Sequence, residues 1–303
     1  MEKINNREKR KKLLSIIIPF HNRTDLLIKT INSIKPHINS NHEIILIDDG
    51  SSIDPYSELK KYLNTNIHYH KIINSERGFA RNYGASKAIG MYVNFFDSDD
   101  IALSNHITSF ESYIKKNNFP NIFTNSYKVR NIRYNYDKNI VVNKKLYKNI
   151  FKHNLISCNA VFLKKEFFNK YKFSEDKLLS GSEDWDLWLR ISCDKKIKVN
   201  PIISSVLIDH NLRSTKIQKT DKMISRIDTL YKRIINKNII NLDQELSNVL
   251  SEIYSFKSMI YSQIVKKKII SFLFLIYSLY LRPTRIIEKR TYAILRNIFL
   301  KFT

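Results

Sequence analysis

Met91-Tyr92-Val93-Asn94-Phe95-Phe96-Asp97-Ser98-Asp99-Asp100 is the stretch that decides the fold class. Its apolar start has strand length and composition, and it stops abruptly in a cluster of carboxylates. Outward from it the chain alternates short apolar runs with helical stretches. Residues 15–19 predict a first strand and 25–34 the helix after it. Residues 43–47 predict a second strand, stopped by Asp48-Asp49-Gly50-Ser51-Ser52, and 67–73 a third. Residues 78–88 carry Phe79, Ala80 and Tyr83 at helical spacing, and 91–96 form the fourth strand. This alternation predicts an α/β domain with a mostly parallel sheet flanked by helices.

Further on, 157–163 read as a strand, 184–192 as a helix, and 206–209 as an apolar run ending at His210. Residues 121–152 are polar, aromatic and weakly periodic, and give no assignment. From about residue 216 only helical spacing remains, over 223–235 and 242–265, with no glycine to the end. The expected division is a catalytic domain over 1–215 and a helical, basic C-terminal region over 216–303. The start, Arg7-Glu8-Lys9-Arg10-Lys11-Lys12 before Leu13–Phe20, imitates a secretory leader. The apolar run is short and no small-residue cleavage site follows, so a buried strand is expected there.

Both acidic clusters fall where a strand ends. In an open α/β sheet ligands bind beyond the carboxyl ends of the strands, so neighbouring strands would bring the clusters to one crevice. Crowded carboxylates repel unless a cation lies between them, and a divalent ion with a diphosphate is the natural occupant. For one cluster alone, turn-forming Asp and Gly explain the pattern as well. Two clusters, each after a buried strand, favour the ligand.

Four stretches in this order resemble the successive motifs of family 2 glycosyltransferases: Ser15-Ile16-Ile17-Ile18-Pro19-Phe20-His21-Asn22-Arg23, Ile47-Asp48-Asp49-Gly50-Ser51-Ser52, Ala80-Arg81-Asn82-Tyr83-Gly84 and Phe96-Asp97-Ser98-Asp99-Asp100. The similarity is close over residues 13–110 and looser to about 215. It implies a GT-A (Rossmann-like) fold followed by an all-helical extension. It also implies transfer of a sugar, with inversion, from a nucleoside-diphosphate sugar, a UDP-sugar foremost, to an acceptor hydroxyl. The acceptor class implied is a saccharide or a lipid-linked sugar of bacterial cell-surface polysaccharide synthesis. Processive members carry Gln-x-x-Arg-Trp, which this chain lacks, so single-sugar addition is expected.

Carried over residue by residue, the resemblance puts Phe20, Asp48 and Asp49 at the nucleotide, and Arg81 near it or its phosphates. Asp97 and Ser98 of the Asp-Ser-Asp motif would face the donor, and Asp99 a divalent cation, Mn²⁺ or Mg²⁺. Read from the helix alone, the alternative is that Arg81 is a surface cation. Gly181-Ser182-Glu183-Asp184-Trp185 resembles the family's Glu-Asp motif. That makes Asp184 the general base for the acceptor hydroxyl, with Glu183 and Trp185 as acceptor contacts. The alternative is that Glu183 or Asp184 caps a helix start and Trp185 packs in the core. His210 is either a surface or capping residue or a metal ligand. Arg213 is assigned to the diphosphate.

Composition sets outer bounds. The chain has 303 residues, 43% of them hydrophobic, enough for a packed core. Cys158 and Cys193 form no framework. The formal charge of +24 suits an anionic partner, although an abundance of Lys, Asn and Ile produces the same excess without selection for charge. From Lys266 onward nine Lys or Arg face a single acid, Glu288, around an apolar run at 269–281 too short to span a bilayer. That pattern suits either peripheral contact with an anionic membrane, at the cytoplasmic face of the plasma membrane, or a helical subdomain packed on the catalytic domain. Two rival classes stand further off. A nucleotidyltransferase usually brings a Gly-rich phosphate loop, which five scattered glycines do not form. A nucleic-acid-binding protein would not set ordered acidic clusters against phosphate, so no specific nucleic-acid partner is expected.

Overall fold

The computed structural model describes residues 12–143, 145, 149–211, 213, 219–236 and 243–300. The basic start at 7–11 and the change of character at 216 lie outside the described residues. In chain order the elements are β1 (Lys12–Phe20), α1 (Thr24–Ile34), β2 (His42–Asp49), α2 (Tyr56–Leu59), β3 (Ile67–Ile72), α3 (Glu76–Lys87), β4 (Gly90–Phe95), β5 (Ile101–Ala102), α4 (His106–Lys116), β6 (Ile122–Asn131), β7 (Tyr136–Ile140), β8 (Val161–Lys164), α5 (Lys165–Tyr171), α6 (Glu183–Asp194) and β9 (Lys198–Asp209). Four further helices follow: α7 (Thr220–Asn236), α8 (Asp243–Ser262), α9 (Lys268–Leu281) and α10 (Lys289–Phe299).

One mixed sheet runs β3-β2-β1-β4-β8-β6-β9-β5, with β7 pairing β6. The half read most clearly from sequence, β3-β2-β1-β4, is parallel, with Ile17 opposite Ile45 on one side and Phe95 on the other. Because β1 is buried on both faces, its apolar residues run without alternation. Ile17, Ile45, Ile47, Val93 and Phe95 point to the face covered by α3 and α5. Ile16, Ile18, Ile44, Leu46 and Tyr92 point to the face covered by α1 and α4. Helix α3 lies very close on its face, because a Cβ at Gly84 would sit 2.4 Å from Ile17 Cγ2.

The unassigned middle contains the strand that carries the second half of the sheet. β6 pairs β8 antiparallel and β9 parallel, and its interior residues Thr124, Asn125 and Ser126 are polar yet fully buried. They are satisfied internally: Asn125 donates to Ser204 Oγ at 2.8 Å and accepts from Asn200 at 2.8 Å. Buried polar groups with partners leave no hydrophobic signature.

The helices after residue 215 do not form a separate core. Ile227, Leu230 and Ile234 of α7, with Val249, Ile253 and Ile260 of α8, share one apolar cluster with Leu187 and Trp188 of α6. Arg233 of α7 also chelates Asp186 at 2.8 and 3.1 Å. Only α9 and α10 add a small cluster of their own, Leu275, Ile294 and Ile298. Part of the expected basic surface is corrected. Arg282 and Arg285 are buried, and Arg282, Arg285 and Arg290 pair with Glu252 and Glu288 rather than with solvent.

Candidate active site

The carboxyl ends of β1, β2 and β4 open on one cavity of about 350 Å³, whose walls include Phe20, Asp49, Arg77, Asp97, Asp99 and Arg213. The sheet order makes this unavoidable, because these three strands are adjacent and parallel. Three residues beside this cavity, Asn22, Arg23 and Glu76, have φ of 55°, 57° and 71°.

The two residues of the first acidic pair differ in position. Asp49 lines the cavity, takes the Ser75 amide at 2.7 Å, and has its pKa raised by burial. Asp48 is fully buried behind it and does not face the cavity; its oxygens accept from Ser51 N at 2.8 Å and Tyr69 Oη at 2.9 Å. It therefore shapes the loop that presents Asp49.

At the end of β4, Asp97 accepts from Arg81 at 2.9 Å, and Ser98 lines the cavity beside it. Burial works against the Asp97 charge, but Arg81, Arg77 and Arg213 outweigh it and lower the pKa. Asp99 Oδ2 lies 3.0 Å from His210 Nε2 and 3.9 Å from Arg23. Asp100 is fully buried and takes Asn159 Nδ2 at 2.6 Å and the Ile208 amide at 2.7 Å, with Arg213 at 3.3 Å; burial pushes its pKa up to about 7. One carboxylate oxygen from each of Asp97, Asp99 and Asp100 lies within 4.8 Å of the others. Of the three, Asp97 and Asp99 stand at the wall of the polar cavity and Asp100 lies buried behind them, and hard oxygen donors this close fit a divalent cation.

Arg81 is not a surface cation. It is buried over the Phe173 ring at 5.0 Å and divides its guanidinium between Asp97 and Glu183, the latter at 2.8 Å. Burial opposes its charge, and the two carboxylates hold its pKa well above the ordinary value. The cation that instead faces the cavity from α3 is Arg77, one helical turn earlier.

At the start of α6 the adjacent acids separate in role. Glu183 is buried, bonded to Arg81 and to the Gly181 amide, and its pKa is lowered against the effect of burial by Arg81 and Arg77. Asp184 is only half-buried. One oxygen takes the Trp185 amide at 2.7 Å, so the helix-start role is real for that atom, and the other takes Asn154 Nδ2 at 3.1 Å. Burial, then the charge of Glu183, pushes the Asp184 pKa up to about 6. Two expected acceptor contacts are corrected. Trp185 is buried with its indole N–H on Ile150 O at 3.0 Å, and Glu183 is held by Arg81, so neither presents a surface to an acceptor.

Helix α7 also reaches this side. A Cβ at Gly181, whose φ is +95°, would meet Arg226 Nη1 at 2.7 Å, so the glycine makes room for that guanidinium beside Glu183 and Asp184. Sequence spacing could have found Arg77. Nothing in the sequence marks Asn159, which ties Asp97 N at 2.8 Å to Asp100.

Set beside known proteins, the family described as Glycosyl transferase family 2 matches residues 15–171. An uncharacterised glycosyltransferase of Rickettsia felis is 31% identical over 190 residues, 61% of this chain, and the chain spans only 31% of that relative's length. The Escherichia coli UDP-Glc:alpha-D-GlcNAc-diphosphoundecaprenol beta-1,3-glucosyltransferase WfgD is 29% identical over 189 residues, 61% of this chain and 72% of WfgD. Among solved structures, S. aureus TarS 1–349 in complex with UDP-GlcNAc superposes with a TM-score of 0.67 at 16% identity, covering 94% of this chain and 88% of that one. At that identity the likeness shows the fold alone.

Proposed function

The chain belongs to glycosyl transferase family 2 and has the GT-A fold, and on that premise we propose that it moves one sugar from a nucleoside-diphosphate sugar to an acceptor hydroxyl with inversion. A UDP-sugar is the donor we assign, and a lipid-linked saccharide the acceptor; the name of the E. coli relative supports both. Peripheral contact with an anionic membrane, at the cytoplasmic face where a cell-surface polysaccharide is assembled, belongs to the same reading.

Asp49 and Phe20 hold the nucleoside, and Arg77 and Arg213 face the diphosphate. Asp97 and Asp99, with Asp100 and His210 behind them, would hold Mn²⁺ or Mg²⁺, which supplies charge neutralisation to the departing diphosphate. Asp184 accepts the proton of the acceptor hydroxyl. That oxygen bonds to the anomeric carbon from the face opposite the diphosphate, whose C–O bond breaks with the electron pair leaving on phosphate. Asn154 orients the base, and Arg81 fixes donor and acceptor sides relative to each other.

The observation that carries this reading is the pair Glu183 and Asp184: adjacent acids, one locked on Arg81 and the other half-buried with a pKa near 6, poised to take a proton near neutrality. A thermal-shift series with UDP, GDP and ADP, each with and without Mn²⁺, tests it. Stabilisation by UDP that deepens with the metal is expected; no response to any nucleoside diphosphate would remove the donor from this cavity.

A further inference from the structure

Helix α9 is built inside out. Its inward face is Ser271, Leu275 and Ser278, all buried. The serines meet serines of α8 in reciprocal pairs: Ser258 Oγ donates to Ser271 O and Ser271 Oγ to Ser258 O, both at 2.8 Å. Ser251 and Ser278 repeat the exchange one heptad along at 2.8 and 2.7 Å. Small side chains let the helix backbones approach closely, the packing found where no large apolar contact drives association.

The outward face carries Ile269, Leu273, Ile276 and Tyr280, which are 80%, 59%, 48% and 78% exposed. These positions recur every third or fourth residue and form one stripe opposite the serines. A helix on a water-facing core turns its large apolar side chains inward. Here that surface remains unburied, Phe272 beside it meets the exposed Phe299 of α10 ring to ring, and Ile286, Ile287, Tyr292 and Leu300 are exposed as well.

Charge identifies what covers it. No Asp or Glu occurs between Glu252 and Glu288, or after Glu288. Both of those glutamates are already held by Arg282, Arg285 and Arg290. At the start of α9, Lys266 and Lys267 are exposed, and Lys268 and Arg296 line a cavity of about 420 Å³ with Ser262, Gln263 and Asn297. A second copy of this chain would offer Lys266, Lys267 and Arg296 no acid from the same surface. Phosphate headgroups would.

We infer that the outer face of α9, continued by α10, docks on an anionic bilayer, lying in the interface with its apolar stripe among the acyl chains and its lysine end among the headgroups. No described helix is long and apolar enough to cross a membrane. The docked hairpin is tied to the acceptor side of the site: Glu252 of α8 holds His153 at 3.2 Å, and the next residue, Asn154, donates to Asp184. The docking gives a face to the membrane contact of the proposed function, and delivery of a lipid-linked acceptor to Asp184 rests on that function; the face itself is argued from α8, α9 and α10 alone.

The test is co-sedimentation of the full chain with phosphatidylcholine vesicles and with vesicles containing phosphatidylglycerol, alongside its mass by analytical ultracentrifugation. The wild type is expected to sediment with the anionic vesicles. Leu273→Glu/Ile276→Glu, at exposed positions, is expected to lower the bound fraction at least about tenfold, with Tm and UDP binding unchanged. Ile132→Glu, on an exposed residue of the β6–β7 hairpin, is expected to change nothing. Wild type that stays in the supernatant with anionic vesicles overturns the inference, and so does a dimer that the double variant converts to monomer without any vesicle binding. Failure of UDP binding alone would instead count against the proposed function.

Discussion

Asp97 at the end of β4 and Glu183 at the start of α6 accept hydrogen bonds from one guanidinium, that of Arg81, at 2.9 and 2.8 Å. The strand bearing the acidic cluster is thereby fixed against the helix bearing the candidate base, through a side chain that is itself buried. Arg81→Met is expected to cost about 3–5 kcal/mol in urea denaturation, because it leaves Glu183 buried without a counter-charge. Adding Glu183→Gln should recover part of that loss. Equal stability of the single and double variants would mean that the pair is not coupled.

Much of this site was legible before the structure. The β1 isoleucines and the strand-end aspartates of β2 and β4 follow from burial on both faces and from where a parallel sheet binds ligands. β6 was not legible, since its buried Thr124, Asn125 and Ser126 look like a loop until their partners are known. The tail was half legible. Its apolar run and lysines stand out, but Arg282 and Arg285 count as surface charge until Glu252 and Glu288 are placed beside them. The seven-residue spacing of Ser251 and Ser258, matched by Ser271 and Ser278, was a readable helix-pairing signal in the sequence.

Asp99→Asn is expected to abolish the metal-dependent part of UDP stabilisation while leaving the apo Tm within a few degrees. With ligand at about a hundred times Kd the full effect is about 2.7 kcal/mol, so its loss is readily seen by thermal shift. An unchanged Mn²⁺ increment would take Asp99 out of the metal site.

The raised pKa of Asp184 carries a stability signature with a definite sign. A carboxyl whose folded pKa lies above its ordinary 3.8, here about 6, favours the fold when protonated. That contribution is fully present below about pH 4 and is lost as pH rises through about 6. Asp184→Asn should therefore match the wild type at low pH and exceed it by roughly 2–3 kcal/mol at pH 8. Wild-type transfer should rise with pH through the same region. A variant no more stable than wild type at pH 8 would contradict the burial assigned to this group.

Gly181→Ala forces a side chain into a position with φ of +95° and against Arg226 at 2.7 Å. A loss of about 1–3 kcal/mol is expected. Transfer should fall while UDP affinity holds, because the disturbance lies on the acceptor side. Weakened UDP binding, measured by calorimetry, would place Gly181 and Arg226 on the donor side instead.

The division of labour between donor cavity and base is tested most directly by Asp184→Asn, with UDP affinity from calorimetry and sugar transfer from product formation measured on the same preparation. The expected result is affinity within about twofold of wild type and transfer reduced by about 10²-fold or more, as for removal of a general base. Transfer near the wild-type rate, with UDP still bound, would contradict the assignment of Asp184.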